Sequence, residues 1–351
     1  MDVSSIQLSY AEAAALAVQR EMEADPRVVV LGEDVGRGGI FGQYKGLQQR
    51  FGAERVIDTP ISEAAIMGAG VGMALAGLRP VVEMRVVDFA LCGMDELVNQ
   101  AAKNRFMFGG QGRVPLVARM PGGIWDASAA QHSQSLEAWF AHLPGVVVVC
   151  PSTPQDNHSL LRAALQCGDP VVYIEHKTLW GLRGAVDESL QVPLGKAAHL
   201  RRGDALTLVS WGKQMQACSA ACELLAGQGI DVDLIDLRTL WPWDRAAVLE
   251  SCARTRRLLV VHEAVQVAGF GAEIAAAAAE ATGCRIARLG APRIPVGYAP
   301  VLEAQSRVGT AQIVKAATAL HQRGYSSQPD AAAAGTTNTS VASSSLTGIP
   351  Q

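Results

Sequence analysis

Two side chains of the sequence combine a reactive group with a position that suits a functional site. Glu63 opens an apolar stretch rich in Ala and Gly, just after Pro60, which suits the first turn of a helix, and Thr59, which can cap it. One interpretation is that this carboxylate only complements the helix dipole, and the other is that it binds a ligand nitrogen. His132 follows the turn 121–123 on a predicted loop, where it is either a packed histidine or a proton shuttle.

The other patterns argue against nucleotide binding and against a serine nucleophile. The glycines of segment 68–72 resemble a dinucleotide-binding turn, but the third glycine is missing and the segment lies inside a predicted helix. We predict instead that Gly68, Gly72 and Ala76 share a helix face that another backbone approaches closely. Phe89 is either a core residue or a stacking surface for a flat ligand ring. Neither a G-x-S-x-G pattern nor a Walker phosphate loop occurs.

The elements that must hold these side chains alternate between short β-branched runs and longer helical patterns. Strands are predicted at Val28–Leu31, Pro80–Met84, Val114–Arg119, Val146–Cys150, Val171–Glu175, Leu206–Trp211, Val232–Leu237, Leu258–His262 and Arg285–Leu289. Helices are predicted at Tyr10–Glu23, Ser62–Gly77, Asp88–Phe108, Gln155–Cys167, Lys213–Gly227 and Gly271–Thr282. Strands that are apolar throughout are covered on both faces, so the sequence predicts an α/β fold with doubly wound parallel sheets.

The alternation thins out between Leu182 and Asp204, a stretch with glycines, a proline and two adjacent arginines. We predict an interdomain connection there, which gives one domain at 1–190 and a smaller α/β domain at 200–325. Segment 326–351 is rich in Ala, Ser and Thr and lacks Lys and Arg, so we expect a disordered tail.

The composition limits the partners and the compartment. Apolar residues make up 49% of the 351 residues and the formal net charge is −3, which offers no electrostatic case for binding nucleic acid or an anionic membrane. Seven cysteines without a CxxC spacing indicate reduced thiols and no zinc site. The start has neither a basic nor an apolar segment, and the apolar stretch Ala64–Leu78 is too short to cross a bilayer. We therefore expect a cytoplasmic protein, or an organellar one that has lost a transit peptide.

Six segments, in this order, resemble the beta subunits of the thiamine-diphosphate-dependent 2-oxo acid dehydrogenases and their acetoin-cleaving relatives. They are Leu31–Asp34, Asp58–Glu63, Ala76–Val81, Asn99–Lys103, Ala130–Gln134 and Ile235–Thr239. The resemblance extends over roughly residues 5–322. It implies a thiamine-diphosphate pyrimidine-binding domain followed by a transketolase C-terminal-like domain.

The same resemblance implies roles for three residues. Glu63 matches the glutamate that hydrogen-bonds the aminopyrimidine ring of thiamine diphosphate. Phe89 matches an aromatic residue that packs against that ring, and His132 matches a histidine that guides proton transfer and acyl handover to a lipoyl arm. These roles favour the catalytic interpretation of Glu63 and His132.

The resemblance also implies partner chains. The family holds the diphosphate and its magnesium ion with a Gly-Asp-Gly segment, and this sequence has none. We therefore expect an alpha subunit that holds the magnesium, an alpha-two beta-two heterotetramer, and a lipoyl acyltransferase core as a further partner.

A potassium ion is a second expectation from the family, whose members often bind one through backbone oxygens. The corresponding residues here are Leu116, Ala164, Leu165, Cys167 and Asp169. Cys167 replaces the usual aspartate, which removes a negative charge from the neighbourhood of the ion.

The substrate stays open among acetoin, pyruvate and branched-chain 2-oxo acids. Segments Val87–Ala90, Arg105–Gly110 and Glu175–Lys177 resemble the acetoin branch most. The alternative function is a noncatalytic beta-like scaffold, against which the presence of Glu63 and His132 argues.

Overall fold

The computed structural model describes residues 5–322, so the predicted tail 326–351 lies outside the described residues. The strands are β1 (Ile6–Ser9), β2 (Val28–Gly32), β3 (Val56–Asp58), β4 (Arg79–Glu83), β5 (Val117–Arg119), β6 (Val147–Val149), β7 (Val171–Tyr173), β8 (Arg183–Val186), β9 (Ala198–Arg201), β10 (Leu206–Ser210), β11 (Val232–Asp236), β12 (Thr239–Trp241), β13 (Arg257–Val265) and β14 (Arg285–Ala291). The helices are α1 (Tyr10–Ala24), α2 (Leu47–Phe51), α3 (Glu63–Leu75), α4 (Ala102–Met107), α5 (Glu137–Ala141), α6 (Pro154–Gln166), α7 (Gln214–Ala226), α8 (Arg245–Thr255), α9 (Gly271–Thr282), α10 (Pro300–Glu303) and α11 (Thr310–Gln322).

The first sheet has seven strands in the order β12-β6-β7-β5-β4-β2-β3. All of its pairs are parallel except β12 with β6. Every residue of β2 is buried, as expected for a parallel strand covered by helices on both faces. Helices α1 and α6 cover one face and α3 packs on the other. Helix α1 begins with a capping box, in which Ser9 Oγ accepts from Glu12 N and Glu12 Oε2 accepts from Ser9 N.

The second sheet has five strands in the order β14-β13-β10-β11-β9, of which only β9 is antiparallel to its neighbour. Helices α7 and α11 cover one face, and α8 and α9 the other. One apolar cluster runs from the first sheet into the second through Phe140, Trp211 and Ile235. The ends of the two sheets are therefore joined by core packing, which lets residues of the second reach the loops of the first.

The predicted α/β class with parallel sheets is confirmed, and the predicted strands are all present, with some shortened. The stretch 182–204, predicted to connect two domains, contains β8 and β9, and β8 pairs with β1. In addition, β12 belongs to the span 200–325 but completes the first sheet. The predicted helix 88–108 is a 3-10 turn at Phe89–Gly93, a π-helix at Glu96–Ala101 and α4. The division at about residues 190–200 remains a proposal.

The predicted close approach at Gly68 and Gly72 was wrong. A Cβ placed on Gly72 would meet nothing within 4 Å, whereas one on Gly70 would lie 2.4 Å from Val82 Cγ2. Helix α3 therefore packs on the sheet through Gly70, and Gly72 lies on its exposed side.

All seven cysteines lie within residues 5–322 and are free thiols. In the same range, no helix is both long and apolar enough to span a bilayer.

Candidate active site

Glu63 is the first residue of α3, and its side chain is half-buried. The helix begins three residues later than Pro60 suggested: Ser62 is the N-cap residue, without a side-chain cap, and the Thr59 hydroxyl has no partner. The carbonyl oxygen of Glu63 lies close to Gly93, the last residue of the 3-10 turn that Phe89 begins. A Cβ built on Gly93 would lie 3.2 Å from that oxygen. The start of α3 and Phe89 therefore belong to one neighbourhood.

Glu33, which directly follows β2, lies close enough to Glu63 to feel its charge. Burial, and after it the charge of Glu63, raises the pKa of Glu33 above the ordinary value, against the opposing effect of Arg85. The guanidinium of Arg85 lies 3.7 Å from Glu33 Oε2 and 2.8 Å from Asp34 Oδ2. Two carboxylates thus share a half-buried region, which suits a ligand that offers N–H donors.

Phe89 and His132 are in direct contact. Their ring centroids are 5.3 Å apart and the rings are nearly perpendicular, at 81°, which is the edge-to-face arrangement that aromatic pairs prefer. Phe89 is half-buried and the His132 side chain is exposed. The pair therefore presents a ring surface and a proton-transfer group at the same place, although the two residues are separated by 43 positions in the sequence.

Lys177 holds the backbone at His132. Its ammonium group donates to the carbonyl oxygen of His132, and the residue is only 2% exposed. Burial lowers the pKa of Lys177 to about 8, although the carboxylates of Asp88 and Glu263 oppose this shift. Next to this contact, the backbone N–H and the side-chain amide of Gln134 donate to Asp88 Oδ1, at 3.3 Å and 2.8 Å.

His176 joins the first sheet to the second. Its Nδ1 accepts from the backbone N–H of Thr178 at 3.2 Å, so the neutral ring carries its proton on Nε2. Nε2 then donates to Glu263 Oε1 at 2.9 Å. Glu263 belongs to β13 of the second sheet, so the two sheets meet directly beneath the loop that carries His132.

A buried polar network supports these residues from below. Arg119 and Glu175, both fully buried, form a two-point ion pair with distances of 2.7 Å and 2.9 Å. The Arg119 guanidinium lies 4.8 Å from the centre of the Tyr44 ring, and the Tyr44 hydroxyl donates to Glu83 at 2.6 Å. Burial raises the pKa of Glu83 to about 7, partly offset by the charge of Arg119. The network lies at the carboxyl ends of β4, β5 and β7. Residues 88–89 follow β4 and residues 176–177 follow β7, so the network stabilises the segments that lead to them.

Three buried polar atoms without a protein partner lie in the segments that carry Glu63, Phe89 and His132. They are Thr59 Oγ1, Asp88 Oδ2 and Ser133 Oγ. Buried polar atoms are normally hydrogen-bonded, so these three are consistent with a polar ligand in this neighbourhood. The residues present therefore fit the pyrimidine end of thiamine diphosphate.

The five residues predicted to bind potassium are close together, but their oxygens already have protein partners. Arg79 donates to the carbonyl oxygens of Leu165 and Cys167 at 2.5–2.9 Å, and Asp169 pairs with Arg105 at 2.6 Å. The carbonyl oxygens of the other two predicted ligands accept backbone N–H groups. A guanidinium beside these oxygens disfavours a second cation. The oxygens of Leu165 and Cys167 therefore suit the guanidinium of Arg79 better than a potassium ion. The potassium site stays a prediction.

Three residues of this neighbourhood were not among the predicted site residues, namely His176, Lys177 and Glu263. A signal was available for two of them, because His176 and Lys177 come three and four residues after the end of β7, at the carboxyl edge where parallel sheets build their sites. Glu263 carried no such signal, since its role depends on how the second sheet meets the first.

Comparisons with known proteins identify two domain families in the chain. Residues 6–181 match the family described as "Transketolase, pyrimidine binding domain", and residues 195–313 match "Transketolase, C-terminal domain". A transketolase-type pyrimidine-binding domain implies dependence on thiamine diphosphate.

Full-length relatives are similar at about 40% identity. The beta subunit of the acetoin:2,6-dichlorophenolindophenol oxidoreductase of Cupriavidus necator is 41% identical over 317 residues, which cover 86% of this chain and 94% of the relative. The beta subunit of the 2-oxoisovalerate dehydrogenase of Bacillus subtilis is 41% identical over 304 residues, with coverages of 84% and 93%. A mitochondrial pyruvate dehydrogenase E1 component subunit beta-1 of Arabidopsis thaliana is 40% identical over 310 residues, with coverages of 86% and 85%.

A solved structure shares the fold. It is described as a split gene transketolase, an inactive beta4 tetramer, and it superimposes with a TM-score of 0.76 at 18% identity over 90% of this chain and 98% of that one. The chain therefore belongs to the family of transketolase-type beta subunits of the 2-oxo acid and acetoin dehydrogenases.

Proposed function

We propose that this chain is the beta subunit of the first component of a thiamine-diphosphate-dependent dehydrogenase complex, where it contributes half of each active site. The complex cleaves acetoin or decarboxylates a 2-oxo acid, and it passes the acyl group to a lipoyl carrier. The observation that carries the proposal is the contact of Phe89 with His132, together with the packing of the 3-10 turn Phe89–Gly93 against the start of α3 at the Glu63 backbone.

Glu63 and Phe89 would hold the pyrimidine ring of the cofactor. The half-buried Glu63 carboxylate would accept a hydrogen bond from a ring nitrogen, and partial shielding from water would strengthen that hydrogen bond. Phe89 packs against the ring face and fixes its orientation. When bound, thiamine diphosphate supplies a nucleophilic carbon and an electron sink for cleavage next to a carbonyl group.

His132 would move protons at the substrate. Its imidazole is exposed, and an imidazole exchanges protons readily near neutral pH. The edge-to-face contact with Phe89 and the hydrogen bond from Lys177 to the backbone of His132 limit the directions that the ring can take. A restrained imidazole at the mouth of the site can also guide the acyl group to an incoming lipoyl arm.

An alpha subunit would complete the site and cover an apolar surface. Phe106, Met107 and Phe108 are 91%, 72% and 59% exposed, and Phe106 lines a cavity of about 730 Å³. Exposed aromatic clusters of this kind indicate a protein interface. The missing Gly-Asp-Gly segment supports an alpha chain that binds the magnesium and the diphosphate. We propose an alpha-two beta-two heterotetramer that docks on a lipoyl acyltransferase core.

Acetoin is the substrate that we propose first. Segments 87–90, 105–110 and 175–177 resemble the acetoin branch, and relatives of all three branches are similar to the chain at about 40% identity, so they do not rank the substrates. The noncatalytic scaffold has no comparable support, because Glu63, Phe89 and His132 are all present and the last two are in contact.

The test is dye-linked turnover of the purified chain, alone and with its alpha subunit, in the presence of thiamine diphosphate and magnesium. Acetoin, pyruvate and 3-methyl-2-oxobutanoate are the substrates. We expect turnover only when both chains are present. Glu63→Gln should lower kcat by more than about 100-fold without changing the assembly state, and the exposed Glu54→Gln should have no effect. A stable but inactive wild-type heterotetramer would favour the scaffold instead.

A further inference from the structure

The loop that carries His132 is conformationally demanding. We define the His132 loop as residues 124–135, between β5 and α5. Ala127 and Ala129 have φ angles of +53° and +59°, in the left-handed region that residues other than Gly, Asn and Asp rarely adopt. Each such residue is unfavourable by on the order of 1 kcal/mol, so the loop keeps this shape only if its surroundings impose it.

Glu263 holds both ends of the His132 loop. Its Oε1 accepts from the backbone N–H of Ile124 at 2.8 Å and from the Ser135 hydroxyl at 3.3 Å. The same oxygen accepts from His176 Nε2 at 2.9 Å, which ties the loop to the end of β7. Burial opposes the negative charge, but the contacts with His176 and Ile124 outweigh it and lower the pKa of Glu263. An ionised carboxylate from the second sheet therefore fixes the entry and the exit of the loop.

Glu303 holds the strained turn of the same loop. Its Oε2 accepts from the backbone N–H of Ala127 at 2.8 Å. Its other oxygen accepts from Arg307 at 2.7 Å and 3.2 Å, so the carboxylate is itself fixed in place. Glu303 is only 6% exposed although it lies at the end of the short helix α10. The contact therefore restrains the one segment of the loop that is least stable by its own backbone preferences.

We propose that Glu263 and Glu303 are positioning residues that hold the His132 loop in the conformation needed for proton transfer. The inference rests on the proposed role of His132. The contacts made by Lys177 and Asp88 act from the first sheet, whereas these two carboxylates come from the part of the chain after residue 200. The part of the chain after residue 200 thereby holds a loop of the first sheet through three hydrogen bonds, two with Glu263 on β13 and one with Glu303 on α10.

The experiment compares Glu263→Gln and Glu303→Gln in the assembled complex with its alpha subunit. The matched control is Glu280→Gln, because Glu280 is exposed on α9. Hydrogen–deuterium exchange is followed in the peptide that spans 124–135, and kcat and KM are measured with the preferred substrate. Loss of a hydrogen bond to a charged group changes the equilibrium constant for local opening by about 10- to 100-fold. Amide exchange should therefore speed up by at least about 10-fold at Ile124 in Glu263→Gln and at Ala127 in Glu303→Gln. We expect kcat to fall by about 10-fold or more with little change in KM.

A double variant separates positioning from general destabilisation. In the His132→Ala background, Glu263→Gln should lower kcat by less than about threefold, since the group that it positions is already absent. If Glu263→Gln lowers kcat by the same factor in the His132→Ala background as in the wild type, Glu263 acts elsewhere and the proposal is overturned. If Glu263→Gln does not assemble, Ser135→Ala removes a donor on the loop side and should give the same pattern with a smaller amplitude.

Failure of the inference and failure of the proposed function give different results. Unchanged exchange in segment 124–135, together with a strongly lowered but measurable kcat of His132→Ala, would overturn the positioning role alone. Wild-type turnover of His132→Ala would overturn the role of His132, and with it the catalytic purpose of the two carboxylates. Faster exchange with unchanged kcat would also overturn the proposal, because the loop conformation would then have no effect on proton transfer.

Discussion

Lys177→Met should separate the stability of this protein from its activity. Lys177 is 2% exposed, and burial lowers its pKa from 10.5 to about 8, which corresponds to a penalty of about 3 kcal/mol for the charged form at pH 7. The hydrogen bond from its ammonium group to the His132 carbonyl returns about 2 kcal/mol. Methionine has a similar length and no charge, so we expect the variant to be as stable as the wild type at pH 7, or about 1 kcal/mol more stable.

The pH dependence of this difference follows from the direction of the shift. The pKa of Lys177 is lower in the folded state than in the unfolded state, so the folded state binds fewer protons between about pH 8 and 10.5. The contribution of this group to the stability of the wild type therefore rises with pH across that window. Any advantage of Lys177→Met should be largest below pH 8 and should shrink as the pH approaches 10.5.

Activity should move in the opposite direction. Without the ammonium group the His132 backbone loses a restraint, and misplacement of a catalytic group by about 1 Å lowers rates by up to about 100-fold. Urea unfolding at pH 7 and pH 10 and dye-linked turnover with the alpha subunit are the measurements, with the exposed Lys315→Met as the control. Full activity of Lys177→Met, or a loss of stability greater than about 2 kcal/mol at pH 7, would refute the reasoning.

Two further predictions concern the support of the site. Arg119→Met should lower the free energy of unfolding by about 3–5 kcal/mol, because it leaves the fully buried Glu175 without its positively charged partner. Urea unfolding of this variant beside the exposed Arg113→Met checks this, and a loss below about 1 kcal/mol would contradict it. Replacing potassium by sodium at equal ionic strength should shift the melting temperature by less than about 2 °C, because Arg79 already occupies the predicted ligand oxygens. A larger potassium-specific stabilisation would show that the ion binds despite Arg79.

Much of the fold was determined by local patterns in the sequence. The run Val28–Leu31 is apolar at every position, and β2 is buried at every position, because a parallel strand covered by helices tolerates no polar face. The start of α1 follows equally from local chemistry, since Ser9 and Glu12 satisfy each other's backbone groups. The family, and with it Glu63, Phe89 and His132 as candidates, was also accessible from short segments in a fixed order.

The face that α3 turns to the core could not be predicted from the sequence. The helix has small or apolar residues on all sides, so its sequence does not mark one face as the buried one. Only packing against Val82 in the folded chain shows that Gly70 lies on the buried face. The strands β8 and β9 were missed for a related reason. They are short, and each exists only because a distant partner strand, β1 or β11, offers it a ladder of hydrogen bonds.

The restraints on His132 were decided by tertiary structure alone. Glu263 lies 131 positions after His132 in the chain, and nothing near Glu263 in the sequence identifies the Ile124 N–H or the Ser135 hydroxyl as its partners. Those contacts arise where the end of β13 meets the loop after β5, through core packing that joins the two sheets. The sequence thus determined which groups are candidates for the chemistry, and the meeting of the two sheets decided how they are held. Hydrogen bonds between distant segments depend on geometry that no local pattern encodes.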